Sequence, residues 1–400
     1  MMTRSTLAVW IYMGGLMSIM AFSLFSATPF PQDDYFSYQQ FVEALARGRL
    51  DLSIPGFHGS DIFAVPWYLL SRSPIAQIDM LRVWAVSLPL IAYLAGVRLF
   101  RSPVDGAFLA SIIAMMPFVS FVALRGWTGP AYWGLMLLAV AAAASGSVWV
   151  IVPLGLAILT KPFAIALVPL LWVLLRRRRR FRTCAVVLWS VFAFCAAYVV
   201  IQYFQAGRIF VGTHADVSIL SVFHGGKRFF LNIAHALQML FSVHNYYFPD
   251  PSKTGPGNLL HTSPVLMFLG LYALLSSRSV FTDRRLPPAL LLGTVAGFVM
   301  NALLDHMDHF YMEAGVLLLI VASIPLLSRA MVWVPIVLAT LHFQWFYFFL
   351  QYREVFALSW QFFLVPLYID AAFLLFFCSR WRRILASVRA ITLIPWSGRV

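Results

Sequence analysis

Charge is scarce in this 400-residue sequence: Asp, Glu, Lys and Arg make up 11% of it, and acids are the scarcer sign, 15 against 29 basic residues. Soluble domains carry roughly 25% charged residues and are about half apolar. With 61% hydrophobic residues and a mean hydropathy of +0.83, this chain is excluded from that class. Cysteine is sparse too. Cys184, Cys195 and Cys378 lie in or beside apolar runs and share no ligand or redox spacing, so no disulfide framework follows. No internal repeat and no Gly-, Ser- or Pro-rich linker divides residues 1–400, which read as one integral-membrane domain.

What is present is a succession of apolar runs. A spanning helix needs about 20 mostly apolar residues, and about twelve candidates qualify. They lie near 6–27, 79–99, 104–124, 130–147, 148–161, 162–176, 183–204, 262–277, 286–304, 310–327, 331–350 and 358–378. The expected fold is therefore all-α, a polytopic transmembrane helix bundle with short amphipathic helices in its outer loops. The first run has Arg4 before it, as a signal peptide would. A cut after Ala27 would place Phe25 where a small residue is wanted, so an uncleaved first helix is expected.

The net charge of +14 does not form a nucleic-acid stripe, because the basic residues sit at the ends of apolar runs. With the N-terminus in the cytoplasm, Arg98 and Arg101, the run Arg176–Arg180, Arg278 with Arg284 and Arg285, and Arg380–Arg383 share one side. That is the positive-inside pattern, with headgroup contacts as a secondary role of the arginines. It assigns the loops 28–75 and 205–261 to the outer side of a cytoplasmic membrane. Within the second loop, 229–243 is apolar but short and interrupted by Asn232, His235 and Gln238, so an interfacial or re-entrant helix is expected there.

The acids are densest in the first loop. Pro31 and the pair Asp33-Asp34 read as a helix start, Tyr35, Tyr38, Val42 and Leu45 recur at helical spacing, and Gly48 ends the pattern. Such a helix would lie along the membrane surface, with two carboxylates in its first turn. One of them suffices as a cap, which leaves the other available for chemistry. His58 and Asp61 complete the loop as candidate sugar or metal contacts. Arg125 and Lys161 stand at outer ends of apolar runs, where anion binding and snorkelling are both open. His224-Gly225-Gly226-Lys227-Arg228 lacks the spacing of a nucleotide loop, and suits either a lipid-borne phosphate or a solvated turn. Asp305, His306, Asp308, His309, Tyr311 and Glu313 form a polar knot without zinc spacing, so a divalent cation is left open as a cofactor. Asp370 lies inside the last run with no obvious partner.

Four stretches in order carry a resemblance: Asp33-Asp34-Tyr35 with Ala46-Arg47-Gly48, then Arg125, then LAILTKPFAIALVPLLWVLLRRRRR, then HFYMEAGVLLL. The sequence resembles the C-type superfamily of integral-membrane glycosyltransferases, in its protein mannosyltransferase and aminoarabinose transferase branch. Where members often carry a His-Pro-Pro-like stretch, this chain has Phe57-His58-Gly59-Ser60-Asp61. The resemblance implies transfer of a sugar from a polyprenyl-phosphate-linked donor to a lipid, glycan or protein acceptor, with inversion and at the outer face of the membrane. Asp33 or Asp34 would act as general base, and Lys161, Arg125, Lys227 and Arg228 would hold the donor phosphate. Tyr35, His58, Asp61, His309 and Tyr311 would contact sugar or acceptor. Membrane lipids are the expected surroundings, and no nucleic acid is involved. An O-antigen polymerase or ligase and a lipid-linked sugar flippase are the other classes compatible with the pattern.

Overall fold

The computed structural model describes residues 4–31, 35–207, 229–230, 232–234, 236–237, 263–276, 280–302 and 312–392. Among them there is no strand. The helices are α1 (Arg4–Ser26), α2 (Tyr35–Ala46), α3 (Ala64–Ser71), α4 (Ala76–Phe100), α5 (Pro103–Ala114), α6 (Pro117–Arg125), α7 (Gly129–Ala144), α8 (Ile151–Thr160), α9 (Val168–Arg176) and α10 (Phe181–Ala206). After α10 come α11 (Pro264–Leu275), α12 (Leu286–Ala302), α13 (Glu313–Arg329), α14 (Trp333–Tyr352) and α15 (Leu364–Thr392). The apolar runs thus fold as helices where expected, but the count of about twelve full spans does not follow. Five helices among the described residues are long and apolar enough to cross a membrane, and the pair α5 and α6 makes a sixth if its two parts are one span. Shorter apolar helices are α7, α8, α9, α11 and α12.

Prolines account for two of the breaks. Pro117 follows Met115-Met116 and bends the α5–α6 pair by 50°, since proline donates no N–H and pushes its predecessor out of the helical region. Trp345 of α14 donates its indole N–H to the Met115 carbonyl at 2.6 Å, which satisfies an acceptor at the break. The second break is at Lys161-Pro162. Lys161 there is extended (φ −151°, ψ 119°), and a 3-10 turn over Pro162–Leu167 leads into α9.

Around the core, α4 packs on α1, α5 and α7, while α13 packs on α5, α11 and α12. Trp133, Tyr132, Phe118, Trp345, Phe348 and Phe356 are its largest fully buried side chains. α10 is different in kind. It leaves Val186, Trp189 and Phe204 at 63%, 73% and 81% exposure, as a helix facing lipid would.

The two ends of the bundle differ in chemistry. At one end, Arg98 of α4 bonds Ser145 beyond α7, Arg179 donates to the Gly146 carbonyl at 2.6 Å, Arg177 pairs with Asp283, and Arg329 reaches Thr282. The other end carries the first loop. Its stretch after α2 is tied to the end of α10, where Gln205 accepts from Leu52 N–H at 2.7 Å and donates to the Leu50 carbonyl at 2.9 Å. Part of 229–243 is described, as helical residues, and Asn232 donates to the Ala302 carbonyl at 3.1 Å.

Candidate functional site

The expected first-loop helix is present as α2, and Gly48 closes it with φ +77°. Its apolar face does not lie on an outer surface: Tyr35, Phe41 and Val42 are buried against the protein, and α2 packs on α3 and α4. Asp33 and Asp34 lie outside the described residues. Their described neighbours in the chain converge on one place. Phe30 N–H donates to the Leu124 carbonyl at 3.0 Å, and the Tyr35 ring packs against Gly126. A Cβ on Gly126 would stand 2.4 Å from Tyr35 Cδ2, and the φ of +81° there also requires glycine. Arg125 sits between these two anchors. The Tyr35 hydroxyl donates to the Pro74 carbonyl, which ties the start of α2 to the end of the loop.

Arg125, the last residue of α6, is held among aromatic rings. Its guanidinium carbon is 4.8 Å from the Phe121 ring centre, 5.0 Å from Trp127 and 5.9 Å from Tyr352. Such a cage orients a cation by its ring quadrupoles without neutralising it.

Lys161 is set by the break that carries it. Its extended backbone directs the side chain across to α13, where Nζ lies 2.8 Å from Glu313 Oε1, with side-chain exposures of 15% and 3%. Glu313 opens α13, where a carboxylate also meets the positive end of the helix dipole. Tyr132 in the first turn of α7 lies beneath the ammonium, 5.5 Å from Nζ to ring centre. Arg125 and Lys161 therefore flank the same end of α7.

A second contact brings the first loop to Lys161. Gly59 N–H donates to the Leu159 carbonyl at 3.0 Å, and a Cβ at Gly59 would lie 2.3 Å from the Leu156 carbonyl oxygen. The loop is keyed into place by a buried network. His58 Nδ1 is 2.8 Å from Asp61 Oδ2 and Nε2 is 3.1 Å from the Ile54 carbonyl, an acceptor, so Nε2 donates there and Nδ1 bonds the carboxyl group. Gln77 donates to Asp61 Oδ1 at 2.7 Å, and Phe41 stacks on the imidazole at 4.1 Å. Burial raises the Asp61 carboxyl above the ordinary carboxylate range, against the lowering effect of His58 and Gln77. Both side chains are fully enclosed, at 0% exposure, and their polar atoms face the protein.

The remaining expected residues divide. Lys227, Arg228, His309 and Tyr311 lie outside the described residues, as does most of the polar knot; its last member, Glu313, is the partner of Lys161. Asp370 has a partner, His342 of α14, at 2.7 Å. No three His, Cys, Asp or Glu side chains come together as metal ligands among the described residues. Arg82 is a candidate that loop-centred reasoning passes over. It is 5% exposed, donates to the Ala27 carbonyl at 2.7 Å and pairs with Asp79 at 3.4 Å, next to where α1 enters the loop. The signal was an Asp and an Arg three apart inside an apolar helix.

Neither a protein-family model nor any curated protein sequence matches the chain. Solved structures do. ArnT from Cupriavidus metallidurans bound to undecaprenyl phosphate superposes with a TM-score of 0.55 at 16% identity, over 84% of this chain and 63% of that one. Its apo state gives 0.56 at 15% identity over the same shares. This chain shares the fold of ArnT. It spans 63% of the length of the ArnT chain. The oligosaccharyltransferase AglB from Archaeoglobus fulgidus, solved with an inhibitory peptide and a dolichol-phosphate, is a weaker match at TM-score 0.49 and 12% identity.

Proposed function

We propose that this protein is a membrane glycosyltransferase that moves a sugar from a polyprenyl-phosphate-linked donor to an acceptor at the first-loop end of the bundle. The observation that carries the reading is Lys161, a nearly buried cation at a proline-made helix break, held by Glu313 in a chain with the fold of ArnT. Buried intramembrane cations are costly to retain and mark ligand paths. ArnT was solved with undecaprenyl phosphate, and a polyprenyl phosphate supplies the anion that Lys161 and Arg125 would meet.

In this mechanism the lipid tail lies between helices and the sugar–phosphate bond reaches the wet end of the bundle. Asp33 or Asp34 takes the proton from the acceptor hydroxyl as its oxygen attacks the anomeric carbon. The bond to phosphate breaks in the same displacement, so the configuration inverts. Charge grows on the departing phosphate, where Lys161 and Arg125 stabilise it. Lys227 and Arg228 are assigned to the same phosphate, and His309 and Tyr311 to sugar or acceptor. His58 and Asp61 serve by bracing the loop, and Tyr35 by anchoring its first helix to Gly126. The loop faces the outer side of the cytoplasmic membrane.

The test is transfer by purified protein from a single-sugar polyprenyl phosphate, with Asp33→Asn and Asp34→Asn compared separately. Loss of at least 100-fold in one variant is expected for a general base. Full activity in both ends that assignment, and translocation without bond formation ends the enzyme reading.

A further inference from the structure

Away from the first loop, a cleft of about 390 Å³ opens between α9, α10 and α12. That is the size of a small-molecule site. Val168, Pro169, Trp172 and Val173 form one wall, Pro288, Ala289 and Leu292 the other, and Leu188 the floor. The spacing places each wall on a single helix face. Arg285 is the one charged residue of the lining, at the end nearest the arginine cluster. Asp283 offsets it only in part: that carboxylate pairs with Arg177 and takes a backbone N–H from Arg285 at 2.9 Å, and it also feels the Arg285 charge. Pro287 and Pro288 have no N–H to offer in the first turn of α12, so an anion there is met by the guanidinium.

We infer that this cleft holds an anionic glycerophospholipid, one acyl chain along the apolar walls and the phosphate at Arg285. Among the described lining residues a water-soluble ligand would find only the Arg285 guanidinium and the Trp172 indole N–H as polar side-chain partners. The cleft borders α10, whose neighbouring Val186 and Trp189 face outward at 63% and 73%, so it opens sideways onto a lipid-facing surface. Arg176, Arg178 and Arg284, all exposed, add positive potential at the same end, which favours acidic headgroups over zwitterionic ones. The lipid-linked donor is assigned to the opposite end of the bundle, by Lys161. A chain gripped between α9 and α12 would fix the lower half of the segment whose upper end is the Lys161 break.

The inference is tested on the purified full chain in nanodiscs with phosphatidylglycerol carrying a diazirine in one acyl chain, and phosphatidylcholine with the same chain as control. Labelled peptides should map to 168–173 and 288–292, with phosphatidylglycerol preferred. Arg285→Gln should cut that preference about fivefold, the worth of one basic residue near an anionic surface, and Arg285→Lys should keep it. Ala289→Leu should lower labelling by both lipids. Equal labelling by the two lipids overturns the inference, as does a polyprenyl phosphate competing better than phosphatidylglycerol. If the variants yield little protein, labelling and competition on the unaltered chain decide.

Discussion

Lys161 and Glu313 lie 152 positions apart in the chain and 2.8 Å apart in space. Removing one partner of so buried a pair strands the other, at a typical cost of about 3–5 kcal/mol, whereas replacing both by apolar groups is close to neutral. Lys161→Met and Glu313→Leu should each lower the unfolding midpoint in detergent, and the double variant should recover most of the loss. A strictly additive double variant would remove the pair from the stability account. For activity the two residues should part. Lys161→Met should raise the donor KM at least tenfold, while Glu313→Gln leaves the cation in place and should not. In the sequence, Lys161 stands out because Thr-Lys-Pro interrupts an apolar run, but Glu313 reads only as one member of a polar knot. Pairing across 152 residues leaves no trace in local spacing. The enclosure of His58 and Asp61 is equally invisible, since a buried polar network and a solvated loop are written with the same residues.

Among the elements, the first loop gains its shape from two close approaches, at Gly126 and at Gly59. The backbone at Gly59 meets the end of α8 so closely that any side chain must push the two apart. Gly59→Ala should therefore behave as an overpacking change of about 1–3 kcal/mol, and should speed amide hydrogen exchange over 52–71 while leaving α4 and α7 protected. Unchanged exchange in that stretch would show that the loop is held elsewhere. The apolar runs and α2 were legible because periodicity and turn residues act locally. The span count was not. Hydropathy over 104–124 is continuous, yet the chain hinges at Pro117, because a helix break in an apolar segment costs nothing in hydrophobicity and is stabilised by a remote group, the indole of Trp345.

On the scale of the whole molecule, the bundle keeps an arginine end and a loop end apart, and the ties at the arginine end have a pH signature. Partial burial works to raise the Asp283 carboxyl, but the Arg285 N–H and the Arg177 guanidinium outweigh it, and the net shift is downward. A carboxylate lowered in the folded state contributes stability that is present above its ordinary pKa, about 3.9, and is lost as pH falls through the depressed value. Asp283→Asn should accordingly flatten the acid limb of the stability profile below about pH 4 and leave the neutral side lower but level. The same polarity sets membrane orientation. If the arginine end is cytoplasmic, single cysteines placed in a background without Cys184, Cys195 and Cys378 should divide cleanly in intact cells. Arg49→Cys and Arg72→Cys, on exposed loop residues, should react with an impermeant maleimide added outside. Arg101→Cys and Arg178→Cys should react only after the membrane is opened. Because every tie described at the arginine end joins helices of one body, the four sites must sort as two pairs whichever way the chain inserts. Labelling of Arg101→Cys from outside together with protection of Arg49→Cys would place the first loop, and with it the proposed transfer, on the cytoplasmic face.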